Sequence, residues 1–275
     1  MKLGLDVSQH QLTWEEILDR VRFAEANGFD GAWVFDHFKP LYGSPSGPCM
    51  EGWTLLAGLA AATETIRLGT LVTGVTYRHP SILAAEAVTV DHISGGRLEL
   101  AVGAAWFDRE HHELGVPFPG PRTRAEQLED AIHIFRALMT GDDVSYDGKH
   151  FSLDGATFNP KPVQKPHPPI WVGAGGEKIM LPLVGRLADV WHGFGSPSQL
   201  ARKSEIVDGA ARAAGRDPAD ILRSTNLSIS EPLDEVRRRA VELREIGIDY
   251  LVVSWPGEGR DRVEAFLKEV EPELV

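Results

Sequence analysis

Apolar residues gather along this chain in short unbroken runs, and between the runs they recur every three or four positions. Unbroken runs suit strands covered on both faces, whereas the three-to-four spacing suits helices with one buried stripe. Lys2–Val7 (KLGLDV) is the first strand, and Thr13 with Glu16 three residues on forms the reciprocal cap that opens a helix. Ile17, Val21 and Ala24 fall on one face of that helix, and Gly28 stands where a left-handed closing residue is wanted. The alternation predicts further strands at Gly31–Phe35, Arg67–Thr73, Arg97–Gly103, Ile170–Gly173, Asp189–His192, Leu222–Ser228 and Asp249–Ser254. Helices are expected at Trp53–Thr63, Ser81–His92, Ala125–Leu138, Lys178–Arg186, Pro197–Ala214, Leu233–Ile246 and Gly259–Glu269. A strand followed by a helix, eight times over, predicts a closed (β/α)8 TIM barrel occupying the whole chain as one domain. An open doubly wound sheet fits less well, because no GxGxxG opens the first helix and the strands exceed the usual roughly five or six.

One stretch breaks the rhythm. Residues 144–169 (VSYDGKHFSLDGATFNPKPVQKPHPP) carry Asp-Gly turns between alternating residues and then a proline-rich run, which predicts a hairpin or extended insertion before the fifth strand. Such a segment either covers a barrel edge or dimer contact, or closes over the mouth as a lid.

Composition narrows the partners. The chain has 275 residues and a formal net charge of −12, which argues against a nucleic acid, whose phosphates need a basic face. An anionic cofactor stays compatible, because backbone N–H groups bind anions locally. The one cysteine, Cys49, excludes an intrachain disulfide framework and fits a reducing cytoplasm. No apolar run approaches the ~18 residues of a membrane span, and the N-terminus carries no cleavage signature. A soluble cytoplasmic enzyme acting on a small molecule is the expectation.

In such a barrel the chemistry sits at the carboxyl ends of the strands. Asp36 and His37 follow the second strand directly, and a histidine there can carry a proton near neutrality. Ala104, Ala105 and Trp106 follow the fourth strand, where small residues admit a planar ligand and Trp106 either walls a pocket or plugs the barrel top. Gly173, Ala174, Gly175 and Gly176 lead from the fifth strand into a helix, a turn that either presents amides to a phosphate or uses its glycines for sterics alone. Glu110-His111-His112-Glu113 (EHHE) lacks the i, i+4 histidine pair of a zinc helix and reads as a solvated face, so no metal is expected. Glu51 and Trp53 stand near the mouth as candidate pocket residues.

These loops resemble the bacterial luciferase-like monooxygenase superfamily, particularly its oxidoreductases that use the deazaflavin coenzyme F-420 (8-hydroxy-5-deazaflavin). The matching segments are GFDGAWVFDHF (28–38), EGWTLLAGLAAATETIRLGTLVTGVTYRHP (51–80), AVTVDHISGGRLELAVGAAW (87–106) and PPIWVGAGGEKIM (168–180). The resemblance implies that Asp36 and His37 lie by the reactive ring of the cofactor, with His37 a proton-transfer candidate. It implies a non-prolyl cis peptide at Leu71-Val72 bracing the ring from behind, with Thr73 beside it as a further cofactor-binding residue. Ala104, Ala105 and Trp106 would flank the cofactor's side chain, and Gly173, Ala174, Gly175 and Gly176 its phosphate. Two departures stand out: many relatives have glycine where this chain has Ala105, and sugar-phosphate dehydrogenases of the family place a glutamate near Trp106, where this chain offers none. With few basic residues at the strand ends beyond Arg78 and Lys39, a neutral organic substrate is expected. The resemblance thus implies hydride transfer between reduced F-420 and a C=C, C=N or C=O group, by a protein that is commonly a homodimer. The alternatives are an FMN-dependent monooxygenase fed by a separate reductase, and a cofactor-binding protein without turnover.

Overall fold

In the computed structural model, which describes residues 1–274, eight parallel strands close into a barrel wrapped by helices. The first four barrel strands are β1 (Lys2–Asp6), β2 (Gly31–Val34), β3 (Arg67–Thr70), continued by the two-residue β4 (Thr73–Gly74), and β5 (Leu98–Gly103). An antiparallel hairpin follows, β6 (Val144–Asp147) with β7 (Ser152–Ala156). The barrel resumes with β8 (Ile170–Gly173), β9 (Val190–Gly193), β10 (Leu222–Leu227) and β11 (Tyr250–Ser254). Pairing of β11 with β1, and of β3 with β5, leaves no open edge in the barrel. The outer helices are α1 (Trp14–Ala26), α2 (Gly52–Ala62), α3 (Pro80–Ile93), α4 (Asp108–Leu114), α5 (Pro121–Thr140), α6 (Met180–Leu187), α7 (Pro197–Ala213), α8 (Leu233–Glu245) and α9 (Arg260–Glu269).

The local signals operate as the sequence implies. Thr13 accepts from the Glu16 amide while Glu16 accepts from the Thr13 amide at 2.8 Å, and Ile17, Val21 and Ala24 of α1 are buried. Two expectations need revision. The third strand stops at Thr70 instead of running to Thr73, because a cis peptide at Leu71–Val72 interrupts it before β4 resumes against β5. The sixth helix starts at Met180, two residues later than expected, since Glu177–Ile179 form a turn.

Two apolar regions hold the barrel. Between strands and helices lies the large outer core. The lumen is filled separately by Trp33, Ala101, Trp171, Val190, Tyr250 and Val252, with Leu71 and Val72 packed against them. Trp33 and Trp171 have ring centroids 4.5 Å apart, and the indole N–H of Trp33 donates to Tyr250 Oη at 3.3 Å. The Trp171 indole N–H donates to Glu99 Oε2 at 2.6 Å, so each buried polar atom on these rings is partnered, as burial demands. Trp106 is 66 % exposed, so these two tryptophans, and not Trp106, fill the barrel.

The inserted hairpin lies on the outside. Tyr146 Oη donates to Asp130 Oδ1 of α5 at 2.9 Å, and the His150 amide donates to Asp130 Oδ2 at 2.7 Å. The chain then returns to the barrel base, where Gln164 donates to Asp91 and to the Leu98 carbonyl. No residue of 144–169 lines the cavity at the mouth; the segment packs on α5 and at the base of the barrel.

The aromatic filling requires strand positions without side chains. A Cβ at Gly69 would stand 2.5 Å from Trp33 and 2.8 Å from the Glu99 carbonyl oxygen, which is fixed backbone. Gly69→Ala is therefore expected to lower stability by about 1–3 kcal/mol through overpacking, read as a reduced urea midpoint. An unchanged midpoint would mean that the lumen yields where the packing says it is rigid.

Candidate active site

At the carboxyl ends of the strands a cavity of about 490 Å³ opens above the aromatic filling. Its floor and back wall are Leu71 and Val72, the cis pair, which rest on the tryptophan layer below. Glycines make room for them: a Cβ at Gly103 would stand 2.8 Å from Val72, and one at Gly173 would stand 3.0 Å from it. Ala104, Ala105, Trp106, Ala174 and Gly175 form the sides. Ala105 holds φ at +56°, a left-handed conformation that glycine adopts more easily, which accounts physically for glycine's suitability at this position.

Asp36 and His37 both reach the cavity from the end of β2. Asp36 is buried, and burial raises its carboxyl above the ordinary value while Arg78 pulls it back. Arg78 Nη1 donates to Asp36 Oδ2 at 2.8 Å, and the same guanidinium donates to Glu51 and lies 3.0 Å from Glu86. His37 is edge-on to Phe107 at 5.9 Å and to Trp106 at 6.1 Å, an aromatic frame that holds the plane of its ring.

The sequence reading missed the residue behind His37. Glu110, expected on a solvated face, is fully buried on α4, and its Oε2 lies 2.9 Å from His37 Nδ1. Tyr77 Oη donates to the same oxygen at 2.5 Å. Burial opposes a charge on Glu110, but the bonds from His37 and Tyr77 hold its carboxyl below the usual range. His111 is buried too, bridging the Phe107 carbonyl and the Thr76 hydroxyl and stacking on Tyr77 at 4.5 Å. Only His112 and Glu113 of the four are exposed. An acid therefore does stand near Trp106, but it lies behind His37 and does not line the cavity.

Other expectations divide. Thr73 is not in the cavity: its hydroxyl accepts from the Trp53 indole at 3.0 Å and meets Thr70 at 2.6 Å. Glu51 caps α2 and binds Arg78, and Trp53 is buried, so neither lines the site. Gly176 is exposed in the turn beyond the cavity. Lys39 pairs with Glu113, and neither it nor Arg78 reaches the cavity wall.

Three polar residues went unnoticed: Asp6, His192 and Asn226, at or near the carboxyl ends of β1, β9 and β10. The strand-end rule that singled out Asp36 applies equally to them. His192 is fully buried with Nδ1 3.0 Å from Ser224 Oγ, and burial pulls it down to about 3, leaving it neutral. Its Nε2 and Asp36 Oδ1 are buried without a partner among the described residues. Two orphaned polar atoms in the wall of one cavity mark a place for a ligand with a polar edge. Among the described residues no group of three or more His, Cys, Asp or Glu side chains could hold a metal ion, and no helix is long and apolar enough to cross a membrane.

A closed barrel with a histidine–carboxylate pair and orphaned polar atoms around a cavity at its catalytic end is the architecture of an enzyme. The chain belongs to the luciferase-like monooxygenase family, whose sequence model matches residues 1–266. It is 32% identical over 246 residues to the 5,10-methylenetetrahydromethanopterin reductase of Archaeoglobus fulgidus, covering 87% of this chain and 68% of that one. It is 32% identical over 248 residues to the F420-dependent glucose-6-phosphate dehydrogenase of Nocardia farcinica, covering 85% and 70%. The structure of an F420-dependent secondary alcohol dehydrogenase with an F420-acetone adduct superimposes with a TM-score of 0.88 at 21% identity, covering 100% of this chain and 99% of that chain.

Burial pushes the Asp6 carboxyl up to about 6 from 3.8. Between these values the folded protein binds more protons than the unfolded chain, so Asp6 contributes stability below about pH 4 that is lost as pH rises through about 6. Asp6→Asn, neutral throughout, should match wild type in urea unfolding near pH 4 and exceed it increasingly up to pH 6, with a constant gap above. A gap independent of pH would show that Asp6 titrates normally.

Proposed function

We propose that this protein is a coenzyme F-420-dependent oxidoreductase that transfers a hydride between the deazaflavin and a small, uncharged organic substrate bearing a C=C, C=N or C=O group. The observation that carries the reading is the cavity itself, lined by His37, by Asp36 and His192 with their orphaned atoms, and by the cis pair Leu71–Val72. The fit to a flat ring rests on this wall: buried polar atoms suit its heteroatom edge, and small residues at 103–105 and 173–175 admit it close to the backbone. Lys203 Nζ stands 3.7 Å from where a Gly175 Cβ would be, a positive charge beside the turn expected to take the phosphate. The two relatives at 32% identity are named as F420-dependent or as a methanopterin reductase, which supports the same kind of chemistry.

Bound there, the reduced deazaflavin supplies the hydride, and every other task falls to the chain. Leu71 and Val72 would support the ring, while Asp36, fixed by Arg78, and His192, from opposite walls, would offer it polar partners. His37 passes a proton to or from the charge that develops on the substrate. The substrate's lack of negative charge follows from the lining: Asp6 and Asp36 are acids, and Arg78 and Lys39 are already engaged by carboxylates. A sugar phosphate would meet no free cation on the His37 side among the described residues.

The test uses reduced F-420 with a panel of ketones, enones and imines, following the appearance of the oxidised cofactor's absorbance. His37→Asn should lower turnover by about 10²- to 10⁴-fold with cofactor affinity near wild type. Unchanged turnover would remove His37 from the mechanism. Oxygen consumption with reduced FMN but no turnover with F-420 would make the protein a flavin monooxygenase.

A further inference from the structure

The hydrogen bonds at Glu110 are allocated atom by atom, and the allocation determines which nitrogen of His37 bears the proton. Oε1 accepts from the backbone amides of Phe38 at 2.8 Å and Lys39 at 3.1 Å. Oε2 accepts from Tyr77 Oη at 2.5 Å and lies 2.9 Å from His37 Nδ1. A carboxylate has about four lone-pair sites, and here each faces one of these four groups. The backbone amides can only donate. Tyr77 is a donor as well, since burial and its bond to Glu110 push the phenol well above its ordinary value and keep its proton in place. Glu110 itself is held ionised by these bonds against the opposing effect of burial. An ionised carboxylate offers no hydrogen, so the contact at 2.9 Å is a hydrogen bond only if Nδ1 carries one.

We infer that Glu110 is a positioning residue that fixes His37 as the Nδ1-protonated tautomer and leaves Nε2 as the nitrogen that exchanges a proton with substrate. The tautomer assignment stands on the hydrogen-bond geometry together with the ionised state of Glu110, and the link to catalysis rests on the reading of His37 as the proton carrier. The same carboxylate ties the loop after β2 to the helix after β5, so the position of His37 is set from a second wall of the barrel. Tyr77 contributes by completing the donor set, and the rings of Trp106 and Phe107 keep the imidazole from turning away.

The isosteric substitution Glu110→Gln separates tautomer control from a merely structural role. The two backbone amides demand an acceptor, so the glutamine oxygen stays with them and its NH₂ turns to His37. Nδ1 must then accept, and neutral His37 carries its proton on Nε2, where it can no longer take one. Long-range ¹⁵N–¹H correlation spectra of the ¹⁵N-histidine-labelled protein without cofactor read this directly, with His37→Asn to assign the signal. The expected result is neutral His37 protonated on Nδ1 in wild type and on Nε2 in Glu110→Gln. Turnover in Glu110→Gln should fall by about 10²-fold or more with the KM for cofactor near wild type. A wild-type ring protonated on Nε2 overturns the inference without any substitution having to fold, as does a variant that keeps both the wild-type tautomer and its turnover. A switched tautomer with undiminished turnover would support Glu110's control of the ring and overturn His37 as the proton carrier.

Discussion

A closed eight-stranded barrel must fill its own lumen, and everything at this site follows from how that is done. Trp33, Trp171 and Tyr250 occupy the lower lumen, and glycines in the strands leave room for their rings. The aromatic layer satisfies its own polar atoms through the Trp33–Tyr250 and Trp171–Glu99 bonds, so it is a dry, dense base and not a channel. Leu71 and Val72 rest on it, and the space above them is the cavity. A ring bound there would press against a wall supported from below, with little freedom to recede.

Charge is the second constraint. Two of the carboxylates at the mouth, Asp36 and Glu110, are buried and each is tied to a different kind of partner. Asp36 is held by an arginine, which is itself shared with Glu51 and Glu86. Glu110 is held by neutral donors and a histidine. The consequence reaches the substrate, because the cation nearest Asp36 is consumed in stabilising it. A buried carboxylate stripped of its partner costs several kcal/mol, so these pairings are conditions for the site to exist as well as determinants of what it admits.

The barrel was legible in the sequence because each unit carried its own local signal: a capping box, an apolar run, a glycine past a helix end. Asp36 and His37 were legible because they follow a buried strand directly, and Leu71–Val72 through family resemblance. Glu110 was not. Its partner His37 lies 73 positions away, and local spacing reports only which side chains share a helix face, not which loop is folded over them. The four-residue EHHE segment lacks metal-ligand spacing, and local pattern alone then points to a solvated face. A buried hydrogen-bonding acid has no periodicity of its own. Thr73 is adjacent to the cis pair in sequence, but its hydroxyl is turned toward Trp53 and Thr70. Asp6 and His192 were within reach of the strand-end rule and show that the rule applies to every strand, including those whose last polar residue seems isolated.

A cavity built for a deazaflavin should distinguish F-420 from FMN. Equilibrium titration of the purified protein with oxidised F-420 and, separately, with FMN, followed by fluorescence, tests this most directly. Saturable binding of F-420 at micromolar concentrations, with FMN far weaker, is the predicted result. Preference for FMN would contradict the cofactor assignment, and binding of neither would contradict the reading of the cavity as a cofactor site.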